Sequence, residues 1–370
     1  MKSPGVEAPW SRWLGLGAAG LVVSALGPLQ CETPRTSPPS IVSDGQTLLA
    51  AWETTSDELG MTVYVRRIST LDDGITTLKG RTAIFRKQYA VTGYHTPELV
   101  TGPAGSLVIV TPFPGDQIAI PIDRDGRAAG PAQPLTGCDS GKNGSGRACF
   151  WTCHRPVAHA GGFIVGHVSA YPRSSTHSLD LSFLDPLGRT LRFVVLSSDH
   201  PLSCATAVSG DDLVVVSTEG HLGRDYRIHV QFVTLAGGSP VTDFWMPGSG
   251  AQTVIATAPG EFAMLHLDAD NALSVSRFTR IGTQSTQPIP GRVEFATADL
   301  GLSTHGVFVT WIENRRVHIR NVTSAGDVAS RRVSANAVGT SAVGFDGRCV
   351  TAWTSGAGGK LHLLGVAECP

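Results

Sequence analysis

Residues 213–217 read LVVVS, with Gly210 just ahead of them and the triplet Ile228-His229-Val230 behind. Five consecutive apolar or small residues after a glycine read as a strand entered through a tight hairpin. Apolar-x-apolar is the two-residue period of a half-buried strand. The same pair of signals recurs seven times. The runs are 48–52 (LLAAW), 108–112 (VIVTP), 163–167 (FIVGH), 213–217, 262–266 (FAMLH), 307–311 (VFVTW) and 349–353 (CVTAW), spaced by 60, 55, 50, 49, 45 and 42 residues. The glycines are Gly45, Gly105, Gly161, Gly210, Gly260, Gly306 and Gly347. The other triplets are Val63-Tyr64-Val65, Ile118-Ala119-Ile120, Leu179-Asp180-Leu181, Leu273-Ser274-Val275, Val317-His318-Ile319 and Leu361-His362-Leu363.

Composition agrees with a chain of short strands and turns. Of 370 residues 43 are Gly, and only 16% are charged. The 41% apolar content excludes a disordered polypeptide. A formal charge of -1 excludes binding driven by bulk attraction to a polyanion, so no nucleic-acid partner is expected.

In most units a glycine turn follows the triplet, and then a weaker polar-apolar stretch such as 190–196 or 327–333. Four strands per unit, repeated seven times without a helix, resembles the β-propeller superfamily. The resemblance implies an all-β fold of seven four-stranded antiparallel blades. An extra strand-like piece at 82–91 leaves six or eight blades open. The stretch TLDDG at 70–74 resembles half of the Asp-box of sialidase-like propellers, without the aromatic that should follow. The seventh unit reaches its third strand and stops at Pro370, while 32–40 is spare. We therefore expect 36–40 to complete the last blade beside 365–367, which would remove an exposed sheet edge.

The expected organisation is a signal peptide over 1–30, a tether and ring-closing strand over 31–40, and a propeller over 41–370. Lys2 and Arg12 precede the apolar run 13–26, the length of a secretory signal core. Two processing readings stand side by side: cleavage after the small residues around Ala25, or lipid attachment at Cys31, which follows the run as in a bacterial lipoprotein. Either implies export, to the periplasm, the outer membrane or the medium, with membrane contact only through a lipid on Cys31. Export makes disulfides the default for the six inner cysteines. Cys138 with Cys149 would close a Gly/Ser-rich loop, Cys153 with Cys204 would join blades three and four, and Cys349 with Cys369 would pin the C-terminus.

The last residues of the runs should approach the face bearing the loops between strands two and three and between blades. Trp52, His167, His266, Trp311 and Trp353 are therefore candidates for a ligand-stacking rim. The competing reading is packing between blades. His167 and His266, with His154 and His159 nearby, would bind a metal only by converging in the central channel. Acidic residues are sparse in the inner strands, and neither a metal nor a cofactor is expected. Gly144-Ser145-Gly146 lacks the strand-to-helix context of a nucleophile elbow. Arg315, Arg316, His318 and Arg320 read as a solvated strand face. The resulting expectation is a binding or scaffolding module for a carbohydrate or an envelope protein. The alternative is a carbohydrate-active hydrolase or lyase, which needs two carboxylates about 5–10 Å apart.

Overall fold

Each apolar run contributes to the second strand of an antiparallel sheet, and each triplet to the third. The computed structural model describes residues 35–366 except 57–59, 70, 72–73, 78–80, 88–95, 113–116, 136–147, 171–176, 197, 199, 222–223, 237, 290–297, 305, 323–329, 335–336 and 356–359. Blade four shows the pattern in full. Strands Pro201–Ser209, Asp212–His221, Arg224–Thr234 and Pro240–Pro247 pair in order, each antiparallel to the next. Blades two, three, five and six repeat this order, beginning at Glu98–Gly102, Ala148–Thr152, Ser249–Ala258 and Asp299–Ser303. In blade three the first strand is split, so that Ala148–Thr152 and Val157–His159 both pair with Gly162–Ala170. The chain is a seven-bladed β-propeller, and no helix occurs among the described residues.

The hairpins between first and second strands explain the glycine period. Gly210 and Gly260 adopt φ of 61° and 72° with open space where a Cβ would stand, so backbone conformation is what requires glycine there. In blade three the requirement falls on Gly162, one residue after the expected Gly161 and for a different reason, since a Cβ there would collide with the Leu184 carbonyl. Blade two departs further. Its second strand is Gly105–Val110, so Pro112 lies past the strand end.

The core is divided into seven apolar clusters, each between neighbouring blades. Ala205, Val214, Phe232, Met264 and Phe278 are among those joining blades four and five. Phe232 meets Phe262 edge-on at 5.8 Å, and each such buried ring stabilises by roughly 1.5–3 kcal/mol. The cluster that closes the ring joins Ile41, Leu48 and Trp52 of blade one to Val350, Leu361 and Leu363 of blade seven. Six or eight blades are thereby excluded.

The pairing at this seam differs from the expected one. Thr36 pairs with Thr54 and Ser40 with Ala51, so both lie at the inner edge of blade one. The segment still touches blade seven, where Thr354 Oγ1 donates to the Ser37 carbonyl at 2.9 Å and Ser341 Oγ accepts from Ile41 N at 3.2 Å. The strand alongside Lys360–Val366 is instead Gly74–Thr77, an excursion between the third and fourth strands of blade one. Blade one keeps its own fourth strand, Thr82–Lys87, the extra piece seen in the sequence. Residues 31–34 and Ala367 lie outside the described residues.

Candidate functional site

The five side chains expected at the rim are at most 3% exposed, and Trp52, Trp311 and Trp353 belong to the apolar clusters between neighbouring blades. Trp52 stacks on Tyr64, Trp311 on His318 and Trp353 on His362, with ring centroids 5.0–5.7 Å apart across the second and third strands. His167 stacks on Phe193. His266 Nδ1–H donates to the Leu267 carbonyl and Nε2 accepts from Ser276 Oγ at 2.8 Å, while burial holds its pKa below the usual value. None of the five offers the open ring face that stacking on a ligand requires. The structure does not bring His167 and His266 together.

It does bring together residues from the first strands, the innermost of each blade. His154 and Arg155 lie between the two halves of blade three's first strand and reach across the axis. His154 Nδ1 meets Glu98 Oε1 of blade two at 2.8 Å, and Nε2 meets Asp299 Oδ1 of blade six at 3.2 Å. Arg155 Nη2 donates to Asp299 Oδ2 at 2.9 Å, to the Ala342 carbonyl of blade seven at 2.7 Å, and to the Leu300 carbonyl. Thr206 Oγ1 of blade four donates to the Arg155 carbonyl, and Thr253 Oγ1 of blade five donates to Asp299 Oδ1 at 2.7 Å. Ser341 Oγ donates to Asp299 Oδ2 while accepting from Ile41 N of blade one. One polar network thus touches all seven blades.

Local structure makes this reach possible. Arg155 sits at φ 59°, a left-handed conformation that costs a non-glycine residue on the order of 1 kcal/mol. It is held from both sides, its N–H donating to Glu98 Oε2 and its carbonyl accepting from Thr206. Two residues earlier, the Cys153–Cys204 disulfide ties the chain to blade four, as expected from the sequence. A Cβ on Gly166 would lie 2.6 Å from Cys153 Sγ, so the facing strand leaves room for the bridge. Cys349 also takes part in a disulfide. Cys31, Cys138, Cys369 and the side chain of Cys149 lie outside the described residues.

The charges in the network balance. Burial favours neutral His154, but the Glu98 charge and the hydrogen bonds to Asp299 and Glu98 outweigh it and push its pKa up to about 10. Only the imidazolium can donate from both ring nitrogens at once. Burial alone would raise the Asp299 pKa. Arg155 and His154, with the Thr253 hydroxyl, overcome that and hold the carboxyl well below the usual carboxylate range. Proton transfer in catalysis works best from a group titrating near ambient pH, and these two groups are displaced from it in opposite directions. The two acids and two bases form a strut across the channel. Toward the hairpins connecting first and second strands, the channel widens into a cavity of about 340 Å³, walled by Val42, Val100, Val157, Val208, Ile255 and Val343.

A second concavity lies between blades four and five, beside the blade junction at 247–248 and the turn 268–272, on the face predicted to carry ligands. It is an open cleft of about 800 Å³ lined by Tyr226, Arg227, Trp245, Pro247, Asp268 and Asn271. Trp245 is 41% exposed and Tyr226 37%. The His229 ring stacks on Trp245 at 4.1 Å with an interplanar angle of 8°, and the Arg227 guanidinium lies 4.6 Å from the Trp245 ring centre. His229 is itself clamped. Its Nδ1 meets Glu219 Oε1 at 2.9 Å and its Nε2 meets Asp243 Oδ2 at 2.7 Å. Burial lowers its pKa, but these carboxylates dominate and the net direction is upward. A cationic ring beneath an indole is electrostatically favourable. His229 and Arg227 both belong to the third strand, and Trp245 belongs to the outermost strand, with no further strand beyond it in the sheet. Trp245 keeps exposed surface at the cleft.

The sequence reading did not single out this cleft or the acids of the strut. Glu98 and Asp299 each open a first strand opposite an apolar or Thr position of the second, and Ser40, Thr253 and Ser341 occupy comparable positions. Polar residues at inner-strand positions buried on both sides were the available signal. For Trp245 the signal was a bulky aromatic on the exposed face of a fourth strand whose other face carries Phe244 and Met246.

No family model matches the sequence, and no curated protein matches it. Solved structures do match the fold. A puromycin-hydrolyzing peptidase of Mycobacterium tuberculosis aligns with a TM-score of 0.57 at 17% identity, over 91% of this chain and 54% of that one. A subtype N10 neuraminidase-like protein of A/little yellow-shouldered bat/Guatemala aligns with a TM-score of 0.51 at 9% identity, over 73% of this chain and 93% of that one. A chain of the mitotic checkpoint complex aligns with a TM-score of 0.53 at 11% identity, over 95% of this chain and all of that one. The likeness is one of fold alone. Propellers carry unrelated activities, so function has to be argued from the site.

Proposed function

We propose that this protein is an exported, non-catalytic binding module that takes a carbohydrate chain in the cleft between blades four and five. The observation that carries the reading is Trp245, a half-exposed indole whose ring is oriented before any ligand arrives by His229, itself fixed between Glu219 and Asp243. A preset aromatic face costs little entropy on binding, and sugar rings present apolar C–H faces to such platforms. Tyr226 and Asn271 supply polar groups at the edges of the same cleft. The buried Cys153–Cys204 bridge supports export, because disulfides persist in oxidising compartments. The charge-balanced strut supports recognition over acid-base chemistry in the channel.

The test is a glycan panel of matched neutral and acidic oligosaccharides, read with the mature protein and with Trp245→Ala. Binding of at least one glycan, weakened by about tenfold or more in the variant, is expected for loss of an aromatic platform. No glycan bound by the folded wild type, or binding indifferent to Trp245→Ala, overturns the reading.

A further inference from the structure

Resting on that reading, we infer that the carbohydrate in the blade four–five cleft is anionic, carrying a uronate-type carboxylate that Arg227 receives. Arg227 is exposed at the cleft and lies against Trp245, yet among the described residues its guanidinium makes no ion pair and no hydrogen bond. The other charged groups around the cleft are occupied. Asp268 on the opposite wall accepts from the backbone N–H of Asp270 and Ala272 and from Ser274 Oγ, all at 2.9 Å, which shapes the turn. Asp243 is paired with His229. Arg277 in the neighbouring blade donates to the Val322 carbonyl instead of reaching this side.

A guanidinium presents its donors as a planar fork that matches the two oxygens of a carboxylate. Stacking on an aromatic face restricts this fork without using its in-plane donors, so Arg227 is oriented and still open. A neutral sugar would use the indole alone. A sugar bearing a carboxylate would use the indole and the fork together. His229, bonded through both ring nitrogens to Glu219 and Asp243, orients the indole and brings no uncompensated charge, so Arg227 is the group left to receive an anion. The cleft is therefore built for a ligand with one apolar face and one negative edge.

The experiment pairs tetragalacturonate with its fully methyl-esterified counterpart, both titrated against the mature protein by Trp fluorescence and calorimetry at low salt. A polyglutamate peptide serves as a third probe, within the wider panel of matched neutral and acidic glycans. The acid is expected to bind about tenfold or more tightly than its ester, consistent with one charge-assisted hydrogen-bonded pair. Arg227→Gln should remove that advantage, bringing the acid and its ester to equal affinity, and Trp245→Ala should weaken both. Added salt should weaken the acid selectively. Equal affinity for acid and ester, with no effect of Arg227→Gln, overturns the anionic inference and leaves the carbohydrate reading standing. Absence of binding across the panel overturns both. Polyglutamate binding as tight as that of the acidic glycan overturns the carbohydrate identity while keeping Arg227 as the anion receiver.

Discussion

If His154 is an imidazolium bridging two carboxylates, alkaline pH should loosen the ring. Its pKa is about 10 in the folded chain and 6.5 in a free side chain. A histidine so raised contributes stability that is complete below pH 6.5 and is lost as pH rises through about 10. At ~1.36 kcal/mol per pH unit the ceiling is roughly 5 kcal/mol. A quarter of the side chain is exposed, so solvent screening reduces the expected loss to about 2–4 kcal/mol. With an unfolding entropy of about 2.1 cal/mol/K per residue, a propeller of this length should lose roughly 3–6 °C in Tm. Glu53 must be separated from this effect. Burial pushes its pKa from 4.5 up to about 8, so its contribution also falls with rising pH, between those two values. Calorimetric melting from pH 6.5 to 10 should therefore be run in a Glu53→Gln background, with and without His154→Gln. The background protein should show the decline. The His154→Gln protein should melt lower at pH 6.5 and decline less. Equal declines in both would refute the assignment of charge to His154.

The Cys153–Cys204 bridge spans 51 residues, and replacing both cysteines by Ala should cost about 4 kcal/mol on the chain-entropy estimate. A drop in Tm of several degrees checks this, whereas a shift below about 1 °C would mean that the strut alone holds blades three and four. Trp353, 1% exposed against His362, should cost about 3–5 kcal/mol when truncated to Ala, with glycan affinity of the folded protein unchanged. Loss of glycan affinity at full stability would restore Trp353 to the rim.

Much of the architecture was legible because a strand pair has a short period and a hairpin demands a particular backbone. Runs such as FAMLH and VFVTW, each with its glycine, located the second strands, and the triplets located the third. The seam was not legible. Gly74–Thr77 leaves its own blade to lie beside Lys360–Val366, a choice set by packing between the ends of the ring that no local pattern encodes. The rim residues failed for a related reason. The second strands run past the apolar runs, to Ser56, Glu313 and Ser355, so Trp52, Trp311 and Trp353 lie within their strands, stacked on Tyr64, His318 and His362, instead of at the strand ends. His154 was noticed near the inner strand, but Glu98 and Asp299 lie 56 and 145 residues away and meet it only once the ring closes.

The strut and the outer cleft are linked by what each leaves available. A channel lined by seven inner strands is the usual place for polar groups to converge on a ligand. Here Asp299 accepts from Arg155, His154, Thr253, Ser341 and the backbone of Leu300 and Ala342, so the acid that a ligand would use is already satisfied. Removing one partner from such a buried set leaves an uncompensated charge, which typically costs about 3–5 kcal/mol, and a ligand competing for Asp299 would face the same penalty. On the outer strand of blade four the order is reversed. His229 is the satisfied group, held by Glu219 and Asp243, while Trp245 and Arg227 keep exposed surface. Rigidity is thus concentrated at the axis and unsatisfied binding capacity at the edge, so a ligand gains more at the edge than in the channel.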